Sequence, residues 1–192
     1  SVHGGNRLGA NSLLDTLVFG RRSGVHAAEL SRRKTHLNID DSAANSDKDN
    51  IQRLLSNEKN ESFGQIRFDM GTTMKEHFGV FREEDSMSEG VKKIAAIKER
   101  AKSVYVADKT KTFNTNLLFT LELDFMTECA AAIAASASDR TESRGAHTRT
   151  DMPDRDDENW LKHIVVTNIE GKPNLSYKDV VITDWTPTVR QY

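Results

Sequence analysis

The sequence predicts a mixed but mainly α protein: an apolar leading helix, a polar linker, a three-helix bundle, and a tail containing a short β-hairpin. Three observations support this. Apolar residues recur at helical spacing in four stretches between residues 11 and 139. A polar segment at residues 38–50 interrupts them. Beyond residue 145 the pattern changes to two short β-rich runs around a Gly/Pro/Asn cluster. The length of 192 residues suits one large domain or two small ones, and 36% hydrophobic content makes the core lean.

The first helix follows a loop, Asn6-Arg7-Leu8-Gly9-Ala10, with Asn11 or Ser12 as N-cap and Asp15 where a carboxylate suits the dipole. Leu13, Leu14, Leu17, Val18, Val25 and Ala28 fall largely on one face, so this helix is expected to be buried. Residues 38–50 read as a linker. A helical stretch over 51–81 follows, weakened at Gly64 and Gly71, with Met70 and Met74 as core filler. Ser88-Glu89-Gly90 opens the next helix, whose Lys92, Lys93, Lys98, Arg100 and Lys102 form a solvated face or dock an acidic partner. Residues 114–139 form the third bundle helix. Asn114 or Thr115 caps it, and Leu117, Leu118, Leu121, Phe125, Cys129, Ala132 and Ile133 form its stripe. Three antiparallel amphipathic helices imply a bundle over 51–140. In the tail, 141–192, residues 163–167 and 180–183 read as paired strands and 170–174 as their turn.

Lys+Arg 27 against Asp+Glu 29 gives a net charge of −2, which disfavours nucleic acid as a partner. One cysteine excludes an internal disulfide, a Cys₄ zinc site and an iron–sulfur cluster held by this chain alone. Cys129, in mid-helix, reads as a small buried hydrophobe. No run approaches the roughly 20 apolar residues of a membrane helix. A start inside a glycine-rich loop suggests a piece of a longer or split polypeptide.

The first fifteen residues carry the chemistry. A helix N-terminus offers unpaired N–H groups and about half a positive charge. Gly4, Gly5 and Gly9 allow close approach, and Arg7 offers a planar fork that matches a carboxylate. An anion site at this terminus is one reading; a glycine loop with Arg7 paired to an acidic neighbour is the other.

Ser1-Val2-His3-Gly4-Gly5-Asn6-Arg7-Leu8-Gly9-Ala10-Asn11-Ser12-Leu13-Leu14-Asp15 resembles, nearly residue for residue, the segment that opens the last flavin-domain helix in the succinate dehydrogenase flavoprotein family. Asn114-Thr115-Asn116-Leu117, Glu142-Ser143-Arg144-Gly145-Ala146-His147 and Pro153-Asp154-Arg155-Asp156-Asp157-Glu158-Asn159-Trp160 agree in the family's order, and residues 38–51 and 165–185 depart from its pattern. The resemblance implies the C-terminal third of such a subunit. Residues 1–37 would end a flavin-binding α/β domain, with the bundle and tail following.

It further implies FAD as cofactor, Arg7 and Ala10 as substrate-binding residues, and Ser12 and Leu13 as residues whose backbone N–H groups face the flavin. The family's dinucleotide fingerprint, flavin-linking histidine and proton-transfer arginine lie earlier in its sequence, so this chain alone should be inactive. Implied partners are the N-terminal part of the flavoprotein, an iron–sulfur subunit and, indirectly, membrane-anchor subunits. The implied setting is the matrix face of the mitochondrial inner membrane, or the cytoplasmic face of a bacterial membrane, within respiratory complex II. Succinate or fumarate is the implied substrate; a fumarate reductase relative and a non-catalytic helical assembly module are the alternatives. His3 is expected to brace its loop. His147 either makes structural hydrogen bonds or touches substrate. Residues 155–158 form salt bridges or a helix start in preference to a metal site.

Overall fold

A computed structural model describes residues 9–58, 60–184 and 186–188. The helices are α1 (Asn11–Arg33), α2 (Asn45–Ser56), α3 (Phe63–Phe78), α4 (Glu84–Ala101), α5 (Thr115–Asp139) and α6 (Asp157–Trp160). The strands are β1 (Phe81–Arg82), β2 (Thr148–Arg149), β3 (Lys162–Ile169) and β4 (Lys172–Asp179). None of the described helices is long and apolar enough to cross a membrane.

The expected single helix over 51–81 is two helices. Tertiary contacts hold the break open. Tyr105 N–H donates to Glu61 O at 3.1 Å, and Asn57 Nδ2 donates to Val104 O at 2.9 Å, so the break lies extended against Val104. Ser62 then caps α3 by accepting from Gln65 N–H. Much of the expected linker is also ordered. Asp40 caps a short 3₁₀ turn, Asp41–Ala44, which runs directly into α2.

Helices α3, α4 and α5 share one core around Ile66, Met70, Met87, Ile94, Leu123 and Ala134. The ends show antiparallel packing. Arg100, late in α4, binds Glu61 just before α3 and Asp69 in its first half. Gly90 meets the far end of α3 so closely that a Cβ there would sit 2.6 Å from the Phe78 ring. The basic face of α4 is therefore only partly solvated: Arg100 staples α3, and Lys98 binds Glu128 at 2.7 Å.

Helix α5 turns a different face inward from the one its large residues suggested. Its buried positions are Thr120, Leu123, Thr127, Ala130, Ala134 and Ala137. Leu118, Phe125 and Ile133 are exposed, and so is Cys129, contrary to the expectation of a buried thiol. The reason is steric. Alanine and threonine let the helix axes come close, and a helix apolar all round gives periodicity no basis for choosing.

The leading helix departs further from expectation: no α1 residue is buried, and Leu13 and Leu17 are 69% and 71% exposed. Its apolar stripe is present but nothing in the described residues covers it.

The second strand also lies earlier than expected. Glu170 and Gly171 both take positive φ, 50° and 79°, forming a two-residue hairpin turn that pairs Ile169 with Lys172. That register brings residues 172–179 into the ladder and leaves 180–183 outside it. Ile164 and Val166 alternate inward toward α5 while Val165 points out.

Candidate functional site

The start of α1 has an unusual geometry. Ala10 occupies the N-cap position in the left-handed region, φ 64° and ψ −10°, and its own side chain gives the helix no cap hydrogen bond. Neither Asn11 nor Ser12 serves as cap; both lie inside the helix. A left-handed non-glycine residue costs about 1–2 kcal/mol and is common where a backbone is aimed at a ligand. Beside it, a Cβ on Gly9 would meet nothing within 4 Å among the described residues. Leu13 N–H donates to Ala10 O at 2.9 Å and Leu14 N–H to the same oxygen at 3.2 Å. A ligand drawing on Leu13 N–H would therefore share it with Ala10 O. Ser12 also lies in this first turn. Arg7 and His3 lie outside the described residues.

A second polar centre ties α5 to the tail. Arg149 is fully buried and Glu142 is 1% exposed. Glu142 accepts from Arg140 Nη1 at 2.6 Å, from Arg144 Nε at 2.6 Å and from Asp156 N–H at 2.7 Å. Burial pushes the Glu142 carboxyl up. Arg144, the Asp156 N–H and Arg140 outweigh it, so the carboxyl stays below its usual range. Arg149 binds Asp151 at 2.6 Å and Glu84 at 3.0 Å, and its guanidinium holds Asp151 well below the usual carboxylate range. Asp156 caps α6 while Asp157 binds Arg144 and Arg155. The acidic run thus forms ion pairs and a helix start, as expected. The sequence signalled only the part of this network at residues 155–158; Arg140, Glu142, Arg149 and Glu84 are brought together by the fold.

His147 joins β1 to the end of α5. Arg82 Nη1 lies 2.7 Å from His147 Nδ1, and His147 Nε2 lies 3.2 Å from Arg140 O. Arginine only donates and a carbonyl only accepts, so Nδ1 carries the lone pair and Nε2 the proton. Both ring nitrogens are used in structural bonds. Burial, with Arg82, Arg140 and Arg149 nearby, lowers the imidazole pKa below its ordinary 6.5, against the pull of Arg140 O. Protonation would remove the acceptor from Arg82 and set two cations face to face. The unfolded chain then takes up this proton before the folded one. Stability is full above about pH 6.5 and falls as pH drops below it. Melting temperature measured from pH 7.5 to 5.5 is expected to fall more steeply for the wild type than for His147→Asn. Parallel curves would show that His147 does not contribute.

The family model described as "Fumarate reductase flavoprotein C-term" matches residues 67–192, well over half of the chain. The chain belongs to the succinate dehydrogenase/fumarate reductase flavoprotein family. It is 42% identical to the fumarate reductase flavoprotein subunit of Haemophilus influenzae across its whole length, covering 32% of that protein. It is 40% identical to the succinate dehydrogenase flavoprotein subunit of Rickettsia conorii over 98% of this chain and 32% of that one. A solved quinol–fumarate reductase with menaquinol superposes with a TM-score of 0.89 at 36% identity, covering 96% of this chain and 33% of that one. The Mycobacterium smegmatis Sdh1 complex gives 0.79 at 28% identity, covering 90% and 30%. This chain thus spans about a third of the length of the flavoproteins it resembles, and it matches their C-terminal part.

Proposed function

We propose that this chain completes a flavin–dicarboxylate site and, in the assembled flavoprotein, serves the oxidation of succinate to fumarate, with electrons leaving through an iron–sulfur subunit to quinone. The observation that carries this reading is the positive end of α1, introduced by left-handed Ala10, three residues beyond Arg7 in the sequence. The fit to FAD is good at this end. A helix N-terminus favours negative charge, and exposed Leu13, Leu14 and Leu17 offer an apolar wall. Bound FAD supplies the two-electron acceptor.

The chain's own residues do the rest. The Arg7 guanidinium fixes one substrate carboxylate through a two-point hydrogen bond. The Ala10 backbone lines the substrate. The N–H groups of Ser12 and Leu13, with the helix dipole behind them, stabilise the negative charge that accompanies electron acceptance. The α1 leucines exclude water once covered. Residues 1–37 act with the flavin domain, and the bundle and tail carry the C-terminal side of the subunit. The reverse reaction, fumarate reduction, is the second reading, because a fumarate reductase subunit of Haemophilus influenzae at 42% identity and a succinate dehydrogenase subunit of Coxiella burnetii at 45% are comparably similar to the chain. Its chemistry at these residues is the same.

Flavin titration tests the division of labour. The isolated chain is expected to leave FAD fluorescence unchanged, whereas the chain assembled with the family's N-terminal two thirds retains FAD through gel filtration. Tight FAD binding by the isolated chain would contradict the reading.

A further inference from the structure

Arg140 and Arg144 share Glu142, and Arg149 meets Asp151 and Glu84. Arg82, among the described residues, meets no carboxylate. Its Nε donates to Gly79 O at 3.0 Å, its Nη2 to Phe78 O at 3.0 Å and its Nη1 to His147 Nδ1 at 2.7 Å, all neutral acceptors. A guanidinium has five N–H bonds, so one remains on each terminal nitrogen. Burial lowers the Arg82 pKa with no neighbouring carboxylate to oppose it, so this is a half-buried charge lacking a counter-ion.

Arg82 lines a cleft of about 410 Å³ together with His147, Ile133, Ile164 and Val166. The same cleft opens onto the outer side of α5, where Ile133, Cys129, Phe125 and Leu118 follow one another at spacings of four, four and seven residues, all exposed. A cationic socket therefore ends a stripe about four helical turns long that is apolar apart from exposed Glu122, between Leu118 and Phe125.

We propose that this face docks the part of the flavoprotein lying outside this chain, with an Asp or Glu of that part seated on the two remaining N–H groups of Arg82 and an apolar segment laid along the α5 stripe. The proposal rests on the reading of the chain as part of a longer flavoprotein. Two things single out this occupant. The relatives are about three times the length of this chain, so most of their surface is contributed from elsewhere. The socket also demands a negative charge next to apolar atoms, which an acidic side chain on an apolar segment supplies.

The test uses the flavoprotein assembled from this chain and the family's N-terminal two thirds, in wild-type form and with Arg82→Lys. A water-soluble carbodiimide joins an amine directly to a touching carboxylate. Peptide mass spectrometry is expected to find an amide between position 82 of the variant and an Asp or Glu of the N-terminal part, absent from the wild type. A link to a second copy of this chain, an adduct with added free succinate, or no link in an intact assembly overturns the proposal. Arg82→Gln is expected to weaken assembly roughly thirtyfold or more, and Phe125→Ser, on the surface and clear of the core, to weaken it in the same direction. Unaltered affinity in both overturns it as well. Failure of the two parts to co-purify overturns the flavoprotein reading and this proposal with it.

Discussion

Replacing Arg7 with alanine in the assembled flavoprotein is expected to lower kcat/KM for succinate by about two to three orders of magnitude, with flavin content unchanged. In the proposed site the guanidinium would present two parallel N–H donors to one carboxylate. Losing it removes both charge and orientation from a substrate that must be held against the flavin. Arg7→Lys is expected to recover only part of the loss, because an ammonium is a point charge on a flexible stem and cannot reproduce the fork. Steady-state kinetics in both directions, with flavin absorbance as the control, checks this. Wild-type values for Arg7→Ala would remove the residue from the site.

Glu142→Ala is expected to be the most destabilising single change in the tail, by about 3–5 kcal/mol. Glu142 is 1% exposed and neutralises Arg140 and Arg144 together while accepting from Asp156 N–H. Alanine leaves Arg140 without its carboxylate and the Asp156 N–H without its acceptor. Urea unfolding should show a lower midpoint at unchanged slope. The same network makes the protein acid-sensitive. The Glu142 pKa lies below 4.5 in the folded state, so the stabilisation is complete above that pH and is lost as pH falls through the folded value. Glu142→Ala should therefore lose less stability than the wild type between pH 4.5 and 3. A destabilisation below 1 kcal/mol would show that the ion pairs do little more than replace hydration.

The parts of the fold set by local chemistry were legible in the residues. Asn114 accepts from Leu117 N–H as its position before an apolar run suggested. Asp156 begins a helix, and Met70 is core. Features decided by distant contacts were not. The break before Ser62 depends on Val104 and Tyr105, more than 40 positions away. The inward face of α5 was misread because large apolar side chains attract attention, while close helix packing selects small ones. The second strand was misplaced because the β-branched residues at 180–183 outweighed a turn whose identity lies in two positive φ values. At the candidate site, glycines and Arg7 marked the place, yet nothing in an alanine announces a left-handed backbone. The Arg82 socket escaped because one arginine in the sequence Phe81-Arg82-Glu83-Glu84 looks paired; only the structure shows Glu84 given to Arg149.

The parallel pairing of β1 with β2 has a kinetic meaning. Phe81 stands beside Thr148, and Thr150 N–H donates to Arg82 O at 2.8 Å. The hairpin of β3 and β4 can zip from its two-residue turn in microseconds, and the bundle can collapse through near neighbours. The β1–β2 clasp must wait until α4 and α5 have doubled the chain back on itself. It is thus expected to close late, and once it has closed the buried Arg149, paired with Glu84 and Asp151, locks the two joined segments together.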